Sequence, residues 1–145
     1  MSWTSVRAKI KTKLDGLVTA GTLGSVLNGE QNPQKVEISA YPAAEIVRMN
    51  TDPEYLTNRE DIQNYTFAIN LYKPLTDDDY ATVEIAMDSV VDAVLTAFLN
   101  DASLTGTVDA RLMPIPNNAS AITWNGILHR RDIILLKCRV IKAMA

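Results

Sequence analysis

The chain of 145 residues is poor in the residue types that build cross-links and metal sites, with one cysteine and one histidine. A single cysteine, Cys138, excludes an internal disulfide and is compatible with a reducing compartment. No apolar run approaches the roughly 20 residues that a membrane-spanning helix needs. Neither sign of charge dominates, since 14 basic residues stand against 17 acidic ones. This balance argues against a protein whose main task is to grip nucleic acid.

What is present suffices for one folded domain. Hydrophobic residues make up 47% of the chain, so it can bury a core without disulfides or metals. The basic residues near the N-terminus are not followed by the apolar segment that a signal peptide requires. We therefore expect one soluble domain over residues 1–145, located in the cytosol when it is synthesised.

Two segments have the spacing of apolar residues that is typical of an amphipathic helix. The first predicts a helix over about residues 4–19. The second predicts a helix from about Asp77 to Leu99, because three aspartates at residues 77–79 suit the positive end of a helix dipole. The apolar stripes are Trp3, Val6, Ile10, Leu14 and Leu17 in the first helix, and Tyr80, Val83, Met87, Val90, Val91, Val94 and Phe98 in the second.

The second helix has two further faces. Small residues, among them Ala86 and Ala93, lie opposite the apolar stripe; alanine is the best helix former, and small side chains also let a neighbouring subunit approach closely. Glu84, Asp88 and Asp92 form an acidic strip between these faces. Like charges four residues apart repel each other, so the strip does not serve the stability of the helix. It either faces water or meets cations elsewhere.

Alternating apolar and polar residues predict strands on both sides of the second helix. Residues 35–40 alternate up to Pro42. Residues 43–49 fit a short helix or, as we favour, a strand that pairs with residues 65–72. Residues 107–115 and 127–141 predict two further strands. The core face of the last strand is predicted to carry Ile134, Leu136, Cys138 and Val140.

Polar segments connect these elements. Residues 21–34 are rich in glycine and asparagine and predict a loop. Residues 50–61 and 117–126 predict two protruding loops, and long loops in compact domains are often functional. Tyr55 and Leu56 form an apolar tip in the first of them, which either folds back onto the domain or contacts a partner. Trp124 lies in the second.

No set of residues predicts catalysis. His129 has no second histidine or cysteine at the spacing of a zinc site. Cys138 lies in the middle of a strand on the predicted core face, which favours a buried apolar residue over a nucleophile. Neither a nucleophile elbow nor a glycine-rich phosphate loop occurs. We expect no enzymatic activity, no metal and no cofactor.

These elements predict an α+β domain in the order helix, two strands, helix, two strands. The sheet is expected to be mostly antiparallel, with both helices on one face. This plan resembles the tail terminator (tail completion) proteins of long-tailed bacteriophages. The resemblance is carried by Tyr41-Pro42-Ala43-Ala44-Glu45-Ile46-Val47 before a polar loop, by the strand at residues 65–72, by the helix from Asp77 and by the closing strand at residues 133–140.

The resemblance implies a structural virion protein. Such a protein assembles as a homohexameric ring on the head-proximal end of the tail tube, stops tube growth and joins the tail to head-completion or neck proteins. It resides in the host cytoplasm during assembly and in the tail or neck of the virion afterwards. DNA passes through the ring without specific binding, and a near-neutral charge fits a conduit that does not hold DNA tightly. No membrane contact is implied.

A ring of identical subunits uses two different patches of each subunit. Tyr55, Leu56 and Trp124 are candidate axial contacts with tube or neck proteins. The candidate subunit interface comprises Glu84, Asp88, Asp92, Ala86 and Ala93 on one side and Arg130, Arg131, Lys137 and Arg139 on the other. Other readings stay open, namely another neck or head-completion ring protein, or a small ligand-binding regulatory domain with a pocket between helices and sheet. An enzyme is disfavoured for want of a site.

Overall fold

The computed structural model describes residues 3–49, 54–55, 60–75, 80–101, 112–116 and 119–143. Two helices and seven strands lie within these ranges, and both helices pack on one face of a mostly antiparallel sheet. The predicted α+β class is confirmed. In chain order the elements are α1 (Trp3–Thr19), β1 (Ser25–Leu27), β2 (Ala43–Arg48), β3 (Glu54–Tyr55), β4 (Glu60–Pro74), α2 (Tyr80–Leu99), β5 (Leu112–Pro116), β6 (Ser120–Trp124) and β7 (Ile127–Ala143).

The strands form one sheet in the order β1-β2-β4-β7-β5, with β3 paired to one end of β4 and β6 to one end of β7. β1 is parallel to β2, and the other pairs are antiparallel. The predicted pairing of residues 43–49 with 65–72 is confirmed, since Ile46 lies opposite Ile69. β4 and β7 are the longest strands and pair from Glu60 opposite Ala143 to Pro74 opposite His129.

The main core lies between the helices and one face of the sheet. Strand alternation directs every second side chain of β4 and β7 toward the helices. Most of the predicted stripe residues are buried there, but Tyr80 is 62% exposed because it stands at the first residue of α2. The buried set is Val6, Ile10 and Leu14 of α1, Val83, Met87, Val90, Val94 and Phe98 of α2, Tyr65, Phe67, Ile69 and Leu71 of β4, and Ile134, Leu136 and Cys138 of β7.

An ion pair ties α1 to the end of α2. α1 ends at Thr19, as predicted, and Gly21 follows it with a φ of 83°, a left-handed conformation that suits glycine. The ammonium group of Lys13 on α1 forms an ion pair of 3.0 Å with Asp101, which follows α2. This contact holds α1 against the end of α2 at the edge of the main core.

The segment at residues 28–42, called the strap below, corrects the prediction of a strand at residues 35–40. The strap crosses the far face of the sheet, away from the helices, and Ile38 is buried there against Tyr72 and Trp124. Two of its carbonyls accept hydrogen bonds from the β6–β7 hairpin: Asn125 N–H donates to the Pro33 carbonyl at 2.6 Å, and the Trp124 indole N–H donates to the Val36 carbonyl at 2.7 Å. The predicted loop at residues 21–34 also contains a short strand, β1.

A β-hairpin replaces the predicted loop at residues 117–126. β6 pairs with β7 through Asn125 and Gly126, whose φ values of 51° and 77° are those of a type I′ turn. The other predicted loop, at residues 50–61, holds β3 and the start of β4, and residues 50–53 and 56–59 lie outside the described ranges. The order of elements therefore includes more strands than predicted.

The strand predicted at residues 107–115 is confirmed from residue 112 onward, as β5. Pro114 and Pro116 pair with Leu136 and Ile134 of β7. Proline has no backbone N–H, and sheets accept it on edge strands. This agrees with the position of β5 at the end of the strand order.

Candidate functional site

The far face of the sheet holds a cavity of about 110 Å³ beneath the strap. Three parts of the fold build it: the strap, the central strands of the sheet and β6. The lining residues are Glu30, Gln31 and Pro33 of the strap, Glu45, Asn70, Tyr72 and Arg131 of the sheet, and Ile122 and Trp124 of β6.

Glu45 is the centre of the polar wall. It lies on β2, is 2% exposed, and its carboxylate accepts three hydrogen bonds. The donors are the backbone N–H of Gln31 to Oε2 at 2.9 Å, the amide of Asn70 to Oε1 at 3.0 Å and the hydroxyl of Tyr72 to Oε1 at 2.8 Å. A buried carboxylate needs such donors in place of water. Glu45 therefore fixes the strap to the sheet through Gln31.

Tyr72 lies between a carboxylate and a guanidinium. Burial raises its pKa far above the usual value, and the hydrogen bond to Glu45 and the charge of Glu45 raise it further, whereas Arg131 lowers it. Arg131 is the partner of Tyr72 across the β4–β7 pair. Its Nε donates to the hydroxyl oxygen of Ser120 at 3.1 Å, which holds the guanidinium group at the cavity. Tyr72 thus stays protonated beside both charges.

Trp124 supplies the apolar wall. Its ring centroid lies 4.9 Å from that of Tyr72, and its indole N–H donates to the Val36 carbonyl at 2.7 Å. Ile122 packs against the same cluster. The cavity therefore joins one apolar wall to walls that carry both signs of charge.

The single histidine is also buried on this side of the molecule. His129 is 1% exposed; its Nδ1 lies 2.8 Å from the Ile127 carbonyl, and its Nε2 lies 2.7 Å from the Tyr41 hydroxyl. A carbonyl oxygen can only accept, so Nδ1 carries the hydrogen. Burial, and secondarily the charge of Glu37, raise the pKa of Tyr41. In the neutral imidazole, Tyr41 therefore donates to Nε2, and this pair fastens the end of the strap to β7.

The described groups offer hydrogen bonds and charge. Among them, no three histidine, cysteine, aspartate or glutamate side chains gather where they could hold a metal ion. No helix within the described ranges has the length and apolar character to cross a bilayer. Cys138 is buried, as predicted, and burial raises the pKa of its thiol to about 12, so the nucleophilic thiolate is scarce at neutral pH.

The predicted acidic strip lies on the outward side of α2. Glu84, Asp88 and Asp92 are exposed, and Ile85 beside them is 69% exposed. Ala86 and Ala93 are half-buried, so they lie along the margin of the helix–sheet contact. The outward surface of α2 is therefore acidic with an apolar residue in it, and the small residues flank that surface.

The predicted basic set is divided between the two faces of the sheet. Successive strand residues point to opposite faces, so Arg131 and Lys137 lie on the far face and Arg130 on the helix side. Arg130 forms an ion pair of 3.4 Å with Asp132. Lys137 is exposed. The side chain of Arg139 lies outside the described residues.

Of the three predicted axial contacts, Tyr55, Leu56 and Trp124, the structure describes the side chain of Trp124. Trp124 is 2% exposed, so its assignment as a contact with a neighbouring virion protein is wrong. The wide indole ring fills the small core beneath the strap, and its N–H is already bonded there. Leu56 and the side chain of Tyr55 lie outside the described residues.

Sequence reasoning missed Glu45 and Tyr72 as site residues. The available signal for Glu45 was a lone carboxylate inside the apolar segment at residues 43–47, where a buried charge must find partners. The signal for the hairpin was the Asn125-Gly126 dipeptide, which strongly favours a two-residue turn. Together, the buried Glu45 and the Asn125-Gly126 turn would have indicated that other segments of the chain cover the far face of the sheet.

The chain matches no model of a known protein family, and no curated protein resembles it in sequence. The features that bear on its function are therefore the outward surface of α2, the far face of the sheet and the cavity beneath the strap.

Proposed function

We propose that this chain is a ring-forming structural protein of a bacteriophage tail, of the tail terminator kind. In this role a homohexameric ring caps the head-proximal end of the tail tube, stops its growth and joins the tail to neck proteins. The observation that supports the proposal is the presence of two unlike surfaces on opposite sides of one small domain, one acidic and one apolar with a lysine at its border.

The first surface is the acidic ridge, defined here as Glu84, Ile85, Asp88 and Asp92 of α2. All four side chains are exposed, and the ridge points away from the sheet. An exposed isoleucine among carboxylates combines an apolar centre with a charged border, which is the usual composition of a protein interface.

The second surface is the open far face, defined here as Val47, Ile133, Leu135 and Lys137. The three apolar side chains are half-buried, and Lys137 is exposed. These residues occupy the part of the far face beside the strap, at the central strands of the sheet. The open far face complements the acidic ridge in charge and shares its apolar character.

Head-to-tail contacts close a ring when a patch of one subunit meets a different patch of the next. In the proposed ring, the acidic ridge of one subunit contacts the open far face of its neighbour, with the carboxylates of the ridge near Lys137. Both surfaces are well separated on the subunit, since one lies outside the helices and the other lies behind the sheet.

Charge reversal tests this arrangement. We expect the wild-type protein to sediment as a ring of about six subunits, alone or with tube protein, and Asp88→Lys to shift it toward monomer. Lys137→Glu has the same effect, and the double variant regains the ring because every subunit carries both partners. Glu37→Lys makes the same charge change at an exposed strap residue and leaves the ring intact.

Two outcomes would contradict the proposal. One is unchanged sedimentation of Asp88→Lys, and the other is a wild-type protein that stays monomeric with and without tube protein. Negative-stain images with polymerised tube protein separate the terminator from another neck or head-completion ring. A terminator is seen at one end of each tube, whereas a neck protein leaves the tube ends bare.

A further inference from the structure

The cavity beneath the strap has a wall of hydrogen-bond acceptors. Three donors occupy the Glu45 carboxylate, two on Oε1 and one on Oε2, so one of its roughly four lone-pair positions is left on Oε2. The side-chain amide of Gln31 donates to the Gly29 carbonyl at 2.9 Å, which leaves its Oε1 as an acceptor. Glu30 is exposed at the rim. Such a set suits an ammonium group, which has only donors.

The opposite wall has donors. Arg131 uses its Nε for Ser120 and also hydrogen-bonds the Tyr72 hydroxyl, which leaves the other N–H groups of its terminal nitrogens for a ligand. That fork matches the two oxygens of a carboxylate. Because Ser120 anchors the guanidinium group, its orientation at the cavity is set before a ligand arrives.

Size and charge narrow the class of ligand. A cavity of about 150 Å³ accommodates benzene, so 110 Å³ suits a molecule of about four to six heavy atoms. A simple anion would meet Glu45 and Glu30, and a simple cation would meet Arg131. A molecule that carries both charges satisfies both walls, while Trp124 and Ile122 accept a short apolar group.

We propose that the cavity beneath the strap binds a small zwitterion, a short-chain α-amino acid such as alanine or glycine. Its ammonium group faces Glu45, Gln31 and Glu30, and its carboxylate faces Arg131. This site is separate from the acidic ridge and the open far face, and it does not depend on the proposed ring.

Titration calorimetry and ligand-observed NMR on the full chain test the site, with alanine as the probe. We expect alanine to bind, and acetate and methylammonium, which each carry one of its charges, to bind at least about tenfold more weakly, since a hydrogen-bonded charge contributes roughly that factor. Acetate that binds as tightly as alanine would overturn the zwitterion assignment. So would the absence of alanine binding up to concentrations on the order of tens of millimolar.

Three variants locate the site. Glu30→Gln changes an exposed rim residue, so it folds. It weakens alanine binding about two- to fivefold, and it does not weaken acetate binding, because the anion loses a repulsive neighbour. Arg131→Gln weakens both. Lys35→Gln removes the same charge from an exposed strap residue outside the cavity, and it changes neither. If Arg131→Gln does not fold, the decision rests on Glu30→Gln, and unchanged alanine binding in that variant would refute the proposal.

Discussion

Gly24 is the residue at which one added methyl group should disturb the fold most directly. A Cβ built at Gly24 would lie 2.7 Å from both the backbone N and the backbone O of Tyr41, and 2.8 Å from the carbonyl carbon of Ala40. These are backbone atoms, which cannot rotate away as a flexible side chain can. The Gly24 N–H also donates to the Pro42 carbonyl at 2.7 Å. Gly24→Ala therefore pushes against the end of the strap.

The expected cost follows from these contacts. Overpacking costs about 1–3 kcal/mol, and weakening the hydrogen bond to Pro42 adds roughly 0.5–1.5 kcal/mol. Replacing glycine by alanine returns roughly 0.4–1 kcal/mol by restricting the unfolded chain. We expect Gly24→Ala to lower the free energy of unfolding by about 2 kcal/mol, the middle of these combined ranges.

Urea denaturation followed by circular dichroism measures this change, and Gly16→Ala is the matched control. Gly16 lies within α1, and an added Cβ meets no atom within 4 Å. Alanine there should stabilise the protein by roughly 0.5–1 kcal/mol. Equal effects of the two substitutions, or a Gly24→Ala variant as stable as the wild type, would refute the steric reasoning.

Two further predictions concern buried polar groups. Tyr72→Phe removes a donor from the buried Glu45 carboxylate and should cost about 1–3 kcal/mol in urea denaturation; Tyr80→Phe, at a 62% exposed tyrosine, should stay within about 0.5 kcal/mol of wild type. Burial raises the pKa of Cys138 from 9.0 to about 12. The unfolded thiol ionises first, so wild-type stability should fall between pH 9 and 12 by up to about 1.4 kcal/mol per pH unit relative to Cys138→Ala. If the free energy of unfolding depends on pH in the same way in the wild type and in Cys138→Ala, the argument from burial of the thiol is contradicted.

Strong periodicity explains why the large elements could be predicted. In α1 and α2 the apolar spacing matches the helical repeat. In β4 every second residue from Tyr65 to Leu71 is apolar, and in β7 every second residue from Ile134 to Val140 is apolar. Each of these elements buries one well-defined face in the main core. A pattern that depends on one buried face can be recognised within a single segment.

The far face could not be predicted in the same way, because it is built from contacts between distant segments. Residues 35–40 alternate like a strand, but their partners are the β6–β7 hairpin and the small core around Trp124. Glu45 is buried only because Gln31, Asn70 and Tyr72 meet there, and Gln31 and Tyr72 come from opposite sides of β2 in the sequence. The spacing of residues within one segment carries no information on contacts between distant segments, so the cavity could not be predicted from the sequence.

The prolines of β5 have a consequence for self-association. Backbone N–H groups along a strand point alternately to the two neighbouring strands. Because proline has no N–H, residues 113 and 115 are the ones that can donate to β7, and positions 114 and 116, which face outward, have no donor. At those two positions a strand from another copy would find carbonyls without matching amides, so this edge is a poor template for a further strand. Copies that join beside β5 therefore gain few backbone hydrogen bonds there, so their association rests mainly on side-chain contacts.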